Sequence, residues 1–201
     1  MKVAVIDYGA GNVFSVVTAL QRLGAEVAVT ADAGRIKDAD RVVFPGVGQA
    51  ASAMERLRAT GLDEVIPCLG QPVLGVCLGM QLMCRSSQEG DVRGLGIFPL
   101  EALRFPGGAK VPHMGWNNIT GLRTGLFAGL EEGAWMYFVH SYYVPTGDFT
   151  AAACRYGLPF SAALSRDNFF GCQFHPEKSS GVGIAILRNF LSKDIERKMG
   201  L

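Results

Sequence analysis

No run of 18 or more apolar residues occurs in the 201-residue chain, so the sequence offers no candidate membrane-spanning helix. Charge of one sign is equally lacking. Nineteen Lys and Arg stand against 18 Asp and Glu, a formal net charge of +1, which excludes the basic footprint of a nucleic-acid-binding surface. The five cysteines are odd in number and include no CxxC pair, which argues against a disulfide framework and against a zinc cluster. No metal and no cofactor are expected. Asp7 interrupts the apolar start Val3-Ala4-Val5-Ile6 too early for a secretory signal, so a reducing cytosol is the expected compartment. With 49% apolar and only 18% charged residues, disorder is excluded and one globular domain over residues 1–201 is expected.

What is present is an alternation of short apolar runs and helical patterns. Lys2–Ile6, Glu26–Val29, Arg41–Phe44 and Val73–Val76 read as buried strands. Val13, Val16, Val17 and Leu20 keep helical spacing and Gly24 follows as a stop signal. Met54 with Leu57, and Leu78 with Leu82, mark two further helices. This order predicts an α/β fold with a parallel sheet covered on both faces. After about Leu100 the segments shorten. Ala102–Arg104, Trp135–His140, Ala151–Arg155, Ser161–Leu164 and Phe169–Gln173 read as strands, partly antiparallel, before a closing helix near Val182–Leu191. The sheet is therefore predicted to be mixed, though mainly parallel.

The segment Val73-Leu74-Gly75-Val76-Cys77-Leu78-Gly79-Met80-Gln81 carries the most chemical information. A buried strand enters Gly-x-Cys-x-Gly and a helical pattern leaves it, the arrangement of a nucleophile elbow with cysteine as nucleophile. Such a turn holds the nucleophile in strained backbone, and side chains two before and two after it would collide. The cysteine then sits at a helix N-terminus, where the dipole favours an anion. The N–H of Leu78 points to where an oxyanion would form.

A nucleophile needs a base, and only His113, His140 and His175 are available. His175 ends an apolar run in Gln173-Phe174-His175-Pro176-Glu177. Pro176 biases His175 towards an extended conformation, in which residues 175 and 177 project to the same side. Glu177 can then hold one ring nitrogen and leave the other for the thiol.

The elbow together with Phe174-His175-Pro176-Glu177 resembles the class I, or triad, glutamine amidotransferases. Within that family the chain is most similar to the glutaminase subunits of imidazole glycerol phosphate synthase. Asp7-Tyr8-Gly9-Ala10-Gly11-Asn12, Pro45-Gly46-Val47-Gly48, Pro112-His113-Met114-Gly115-Trp116-Asn117 and Tyr137-Phe138-Val139-His140-Ser141-Tyr142 carry that closer similarity. It extends from residue 2 to about residue 191. One departure is Gln49–Met54, where relatives often carry an aromatic residue.

The resemblance implies a flavodoxin-like fold of the class I amidotransferase type. It also implies glutamine hydrolysis by Cys77, His175 and Glu177. Leu78 with Val47 and Gly48 would form the oxyanion hole, and Gly46, Gln81, Ser141 and Tyr142 would bind glutamine. A glycine-flanked peptide flips at little cost, so Pro45–Gly48 is a candidate switch. The implied partner is the cyclase subunit of the synthase, a (β/α)8 barrel forming a heterodimer with the glutaminase. Trp116, Asn117, Tyr137 and Lys178 are the implied contact residues. The same pattern also serves glutaminase subunits of other class I amidotransferases and stand-alone γ-glutamyl hydrolases. A dinucleotide-binding reading of Gly9-Ala10-Gly11 fails at the third position, where Phe14 is too bulky. A non-catalytic binding module is opposed by the intact Cys, His and Glu.

Overall fold

The computed structural model describes residues 1–9, 13–46, 48–108 and 110–197. The first half alternates as the hydrophobic pattern predicts. β1 (Lys2–Ile6) leads to α1 (Phe14–Arg22), β2 (Glu26–Thr30), α2 (Ala33–Lys37), β3 (Arg41–Phe44), α3 (Ala50–Ala59) and α4 (Leu62–Val65). β4 (Val73–Val76) then runs into α5 (Leu78–Leu82). The second half holds β5 (Cys84–Ser87), β6 (Val92–Arg93), β7 (Phe98–Arg104), β8 (His113–Asn118) and β9 (Trp135–His140). β10 (Tyr142–Tyr143), β11 (Thr150–Tyr156), β12 (Leu158–Arg166), β13 (Phe169–Cys172), α6 (Ser180–Leu191) and α7 (Asp194–Arg197) complete it.

Seven strands form the main sheet in the order β11-β12-β13-β4-β3-β1-β2. Neighbours from β2 to β13 pair parallel, and β12 and β11 extend the edge antiparallel. The mixed, mainly parallel sheet expected from the sequence is thus present. Its strands alternate between two hydrophobic clusters. Val3 and Val5 join α1 and α6 on one face, while Ala4 and Ile6 join α2, α3 and α5 on the other. Both faces are covered, so β3 and β4 are buried throughout and apolar apart from Arg41 at the start of β3.

One expectation needs amendment, and two elements, α2 and β8, went unread. The strands after Leu100 do not all join the main sheet. β10, β7, β5 and β6 form a separate four-stranded sheet, and β8 with β9 forms a two-stranded ribbon. α2 gave no periodic signal because Ile36 is its only buried residue. It is fixed instead by Asp32, whose side chain accepts from the Arg35 N–H at 2.8 Å. β8 was not read as a strand because its residues are mostly polar, glycine or exposed. The Gln49–Met54 departure is absorbed by packing: Ala50, Ala53 and Met54 are buried on the inner side of α3.

Candidate active site

Three adjacent parallel strands, β3, β4 and β13, deliver the site from their carboxyl ends, where α/β folds place ligands. Phe44, Gly75 and Gly171 stand side by side in the ladder. Pro45–Gly48, Cys77 and His175 therefore leave the sheet near one another.

Cys77 has φ 52° and ψ −108°, a strained conformation for a residue with a side chain. It is fixed by the N–H of Cys77 donating to Cys172 O at 2.7 Å. The glycines on both sides are required by close approach. A Cβ on Gly75 would lie 2.8 Å from Met80 N, and one on Gly79 would overlap the Phe44 carbonyl. Gly46 is placed equally tightly: a Cβ there would fall on the backbone of Gly79 and the side chain of Leu78. The loop after β3 and the elbow after β4 thus touch backbone to backbone. Tyr8 adds a tether, its hydroxyl donating to Pro45 O at 2.9 Å. Burial first, and then the nearby Cys77, raises the Tyr8 phenol well above its ordinary value.

His175 and Glu177 are almost fully enclosed, with side-chain exposures of 8% and 7%. His175 Nδ1 lies 2.9 Å from Glu177 Oε1. Burial lowers the affinity of the ring for a proton. Hydrogen bonds to Cys77 and to Glu177 outweigh it and raise the pKa to about 9. The ring is therefore hydrogen-bonded to the carboxylate and close enough to the Cys77 sulfur to be influenced by it. His175 is extended as expected, but Glu177 reaches the ring from a 3-10 turn over Pro176–Lys178 and not from extended backbone. Glu177 Oε2 is buried without a hydrogen-bond partner. Backbone from β9 closes the site, since Val139 O lies 3.6 Å from Cys77 Sγ and Tyr137 O accepts from the His175 N–H at 2.9 Å.

Cys77 and His175 open into one cleft of about 380 Å³. Gly46, Gly48, Leu78, Gln81, Ser141, Tyr142 and Lys178 line the same cleft. Val47 lies outside the described residues, as do Ala10, Gly11 and Asn12 of the segment after β1. Gly48 has φ +98°, a conformation that favours glycine.

Two functional candidates escaped the sequence reading. Glu89 brings a carboxylate to the cleft, anchored by the Ala50 N–H donating to Oε2 at 2.9 Å. Burial raises its pKa, with the Ala50 hydrogen bond acting against this. Gln173 is fully buried. Its Oε1 accepts from Gln81 Nε2 at 2.8 Å, and its Nε2 lies 3.7 Å from Cys77 Sγ. The second had a usable signal, a polar residue inside the apolar run that ends at His175.

Trp116 and Tyr137 do not line the cleft. They face each other across the β8–β9 ribbon at 5.9 Å, with Trp116 50% exposed. Trp135 and Met114, which the sequence reading passed over as contact residues, are 57% and 62% exposed on the same ribbon. Asn117 turns its side chain inward. Its Nδ2 donates to Arg155 O and faces His113 Nε2, and its Oδ1 accepts from the Asn118 N–H.

Among the described residues no group of His, Cys, Asp and Glu is arranged to hold a metal, and no helix is long and apolar enough to cross a membrane. The other four cysteines are also free thiols. Burial raises Cys84 and Cys154 to about 12 and holds Cys172 well above its ordinary value, which keeps these three protonated.

Comparison with known proteins agrees with this geometry. The glutamine amidotransferase class-I family matches residues 4–193. The imidazole glycerol phosphate synthase subunit HisH of Bacteroides thetaiotaomicron is 57% identical over 194 residues, 95% of this chain and 99% of that protein. The subunit of the same name from Shewanella loihica is 50% identical, covering 93% and 88%. Among solved structures, a glutamine amidotransferase superposes with a TM-score of 0.74 at 16% identity over 98% of this chain and 99% of the other. PurLQS from Thermotoga maritima superposes at 0.69 and 18% identity, covering 94% and 97%. These last two speak for the fold alone. The chain belongs to the class-I glutamine amidotransferase family and, within it, to the HisH subunits of imidazole glycerol phosphate synthase.

Proposed function

We propose that this chain hydrolyses glutamine to glutamate and ammonia, with Cys77 as nucleophile, His175 as acid and base, and Glu177 as the group that orients His175. The observation that carries this reading is the buried His175 ring, hydrogen-bonded to Glu177, raised in pKa by Cys77 and Glu177, and sharing a single cleft with Cys77. The sulfur attacks the side-chain amide carbon of glutamine. His175, which holds a proton at neutral pH, gives it to the leaving ammonia. The neutral ring then draws a proton from water, which releases glutamate from the thioester. The charge on oxygen is met by the Leu78 N–H and by a peptide of the Gly46-Val47-Gly48 loop. Gln81, Ser141 and Tyr142 bind the amino-acid end of the substrate, and Glu89 supplies a carboxylate for its ammonium.

The ammonia passes to the cyclase subunit of imidazole glycerol phosphate synthase, which forms imidazole glycerol phosphate and AICAR in cytoplasmic histidine biosynthesis. The ribbon of β8 and β9 supports this partner. Met114, Trp116 and Trp135 expose apolar surface on it, and the backbone of β9 touches both Cys77 and His175. Tyr137 and Lys178 border this face, while Asn117 supports it from within. Glutamate release is the test. It is expected to be slow in the isolated chain and to rise when the cyclase subunit and its nucleotide ligand are added. Full activity without the partner would overturn the gated reading, and no activity with it would overturn the glutaminase reading.

A further inference from the structure

The glutaminase chemistry uses His175 and leaves two histidines unexplained. His113 and His140 are 3% and 6% exposed and face each other across the β8–β9 ribbon. His113 Nδ1 lies 2.9 Å from His140 Nε2, and His140 Nδ1 lies 2.7 Å from Tyr142 O. His113 Nε2 lies 3.3 Å from Asn117 Nδ2.

The direction of every bond in this chain is forced. Tyr142 O can only accept, so His140 Nδ1 carries the hydrogen. A neutral His140 must then accept at Nε2, so His113 donates from Nδ1 and accepts at Nε2. Asn117 Nδ2 donates there, as it also does to Arg155 O. A proton added to either ring would set N–H against N–H or meet the Asn117 donor. Burial acts in the same sense, lowering His113 to about 4 and His140 to about 3. The rings cannot turn to relieve the bonds. His113 is stacked between Tyr156 at 4.0 Å and Phe138 at 4.9 Å, and His140 packs against Phe105 and Phe160 at 5.3 and 5.2 Å.

The inner end of the chain reaches the substrate cleft. Tyr142 O also accepts from Gln81 Nε2 at 3.0 Å. Gln81 Nε2 spends its other hydrogen on Gln173 Oε1, whose Nε2 faces Cys77 Sγ. The Gln81 amide thereby has one orientation, with Oε1 left as its acceptor.

We propose that His113 and His140 form a positioning relay of fixed polarity that holds the Tyr142 carbonyl, and through it the Gln81 amide, in the orientation that binds glutamine. The proposal rests on glutamine as the substrate. His140 borders the cleft, but both its ring nitrogens are engaged, with Tyr142 O and His113, so the pair is assigned a positioning and not a catalytic role. Its outer end, Asn117, lies on the ribbon assigned to the partner, so the relay ties that face to the glutamine subsite.

The test uses the complex with the cyclase subunit. His140→Phe removes both bonds of the ring. It is expected to raise the KM for glutamine by roughly 10-fold, the worth of a buried hydrogen bond left unmade, with kcat within about threefold. His140→Asn, whose Nδ2 can replace the Nδ1 donor, should recover most of that loss. Ammonia-dependent turnover reports folding and assembly. In the wild-type chain, nitrogen-15 resonance should show both rings neutral with hydrogen on Nδ1 from pH 5.5 to 8. An unchanged KM in His140→Phe, equal losses in the Phe and Asn variants, or hydrogen on Nε2 of either ring would each overturn the relay. If His140→Phe does not fold, the Asn variant and the wild-type tautomers decide it. A wild-type complex that releases no glutamate sinks the glutaminase reading instead, and the tautomers then decide the relay alone.

Discussion

Replacing Glu177 by Gln isolates the charge that holds His175. The side chains are nearly the same size, and a glutamine Oε1 can still accept from Nδ1 across the 2.9 Å contact. What disappears is the negative charge. A hydrogen bond to a charged group contributes about 1.5–3 kcal/mol and a neutral one about 1 kcal/mol. The difference of about 0.5–2 kcal/mol amounts to about one pH unit, at about 1.4 kcal/mol per unit. The His175 midpoint should therefore fall from about 9 to about 8 in Glu177→Gln. The new amide group would also occupy the place of Oε2, which has no partner, at a cost of about 1–3 kcal/mol in stability. Proton resonance of the ring hydrogens can follow this directly, because the chain has only three histidines. His113 and His140 stay neutral until acid pH, so the signal titrating above pH 7 belongs to His175. Glutamate release at pH 7 should fall by about 100-fold, the scale of one misdirected acid–base group. A midpoint that stays at its wild-type value, or rises, would refute the argument that the carboxylate charge holds the ring protonated.

Cys77→Ala is expected to abolish glutamine-dependent synthesis by the complex and to leave ammonia-dependent synthesis intact, measured as product formed from each nitrogen donor. Gly79→Ala should destabilise the chain by about 1–3 kcal/mol in denaturant titrations, because its Cβ would overlap the Phe44 carbonyl. Trp116→Ala should weaken cyclase binding by at least about tenfold in calorimetry with little change in thermal stability, since half of the ring is exposed. Stability should also fall at both ends of the pH range in thermal melts. The part due to His175, whose folded pKa is raised, is complete below about 6.5 and is lost as pH climbs through about 9. The part due to His113 and His140, whose folded pKa values are depressed, is complete above about 6.5 and is lost on acidification. This amounts to roughly 2 kcal/mol between pH 6.5 and 5.5.

How much of this could be read in the sequence depended on where the determining force was local. β1, β3 and β4 were legible because burial on both faces makes them apolar beyond the first residue, Lys2 in β1 and Arg41 in β3. The elbow was legible because Gly75 and Gly79 mark positions where backbone excludes a side chain. His175 was legible because Pro176 holds it extended; Glu177 meets it as expected, but through a 3-10 turn over Pro176–Lys178 that the extended reading missed. α2 and β8 were not, since one rests on a single cap and the other on pairing with β9, 17 residues beyond its own last residue. Glu89 reaches the cleft through the N-terminus of α3, a contact between residues 39 apart that no periodicity announces. The pairing of His113 with His140 likewise depends on ribbon register, which the sequence alone leaves open.

The contact between Gly46 and Gly79 bears on how such a chain could be turned on. Loop and elbow leave neighbouring rungs of one hydrogen-bonded ladder, so the distance between them is held by the sheet itself. On the reading of Pro45–Gly48 as a switch, turning it on then calls for the rotation of a peptide plane and not for the travel of a segment. Such a rotation would leave the hydrophobic layers undisturbed and cost little where glycines flank the peptide.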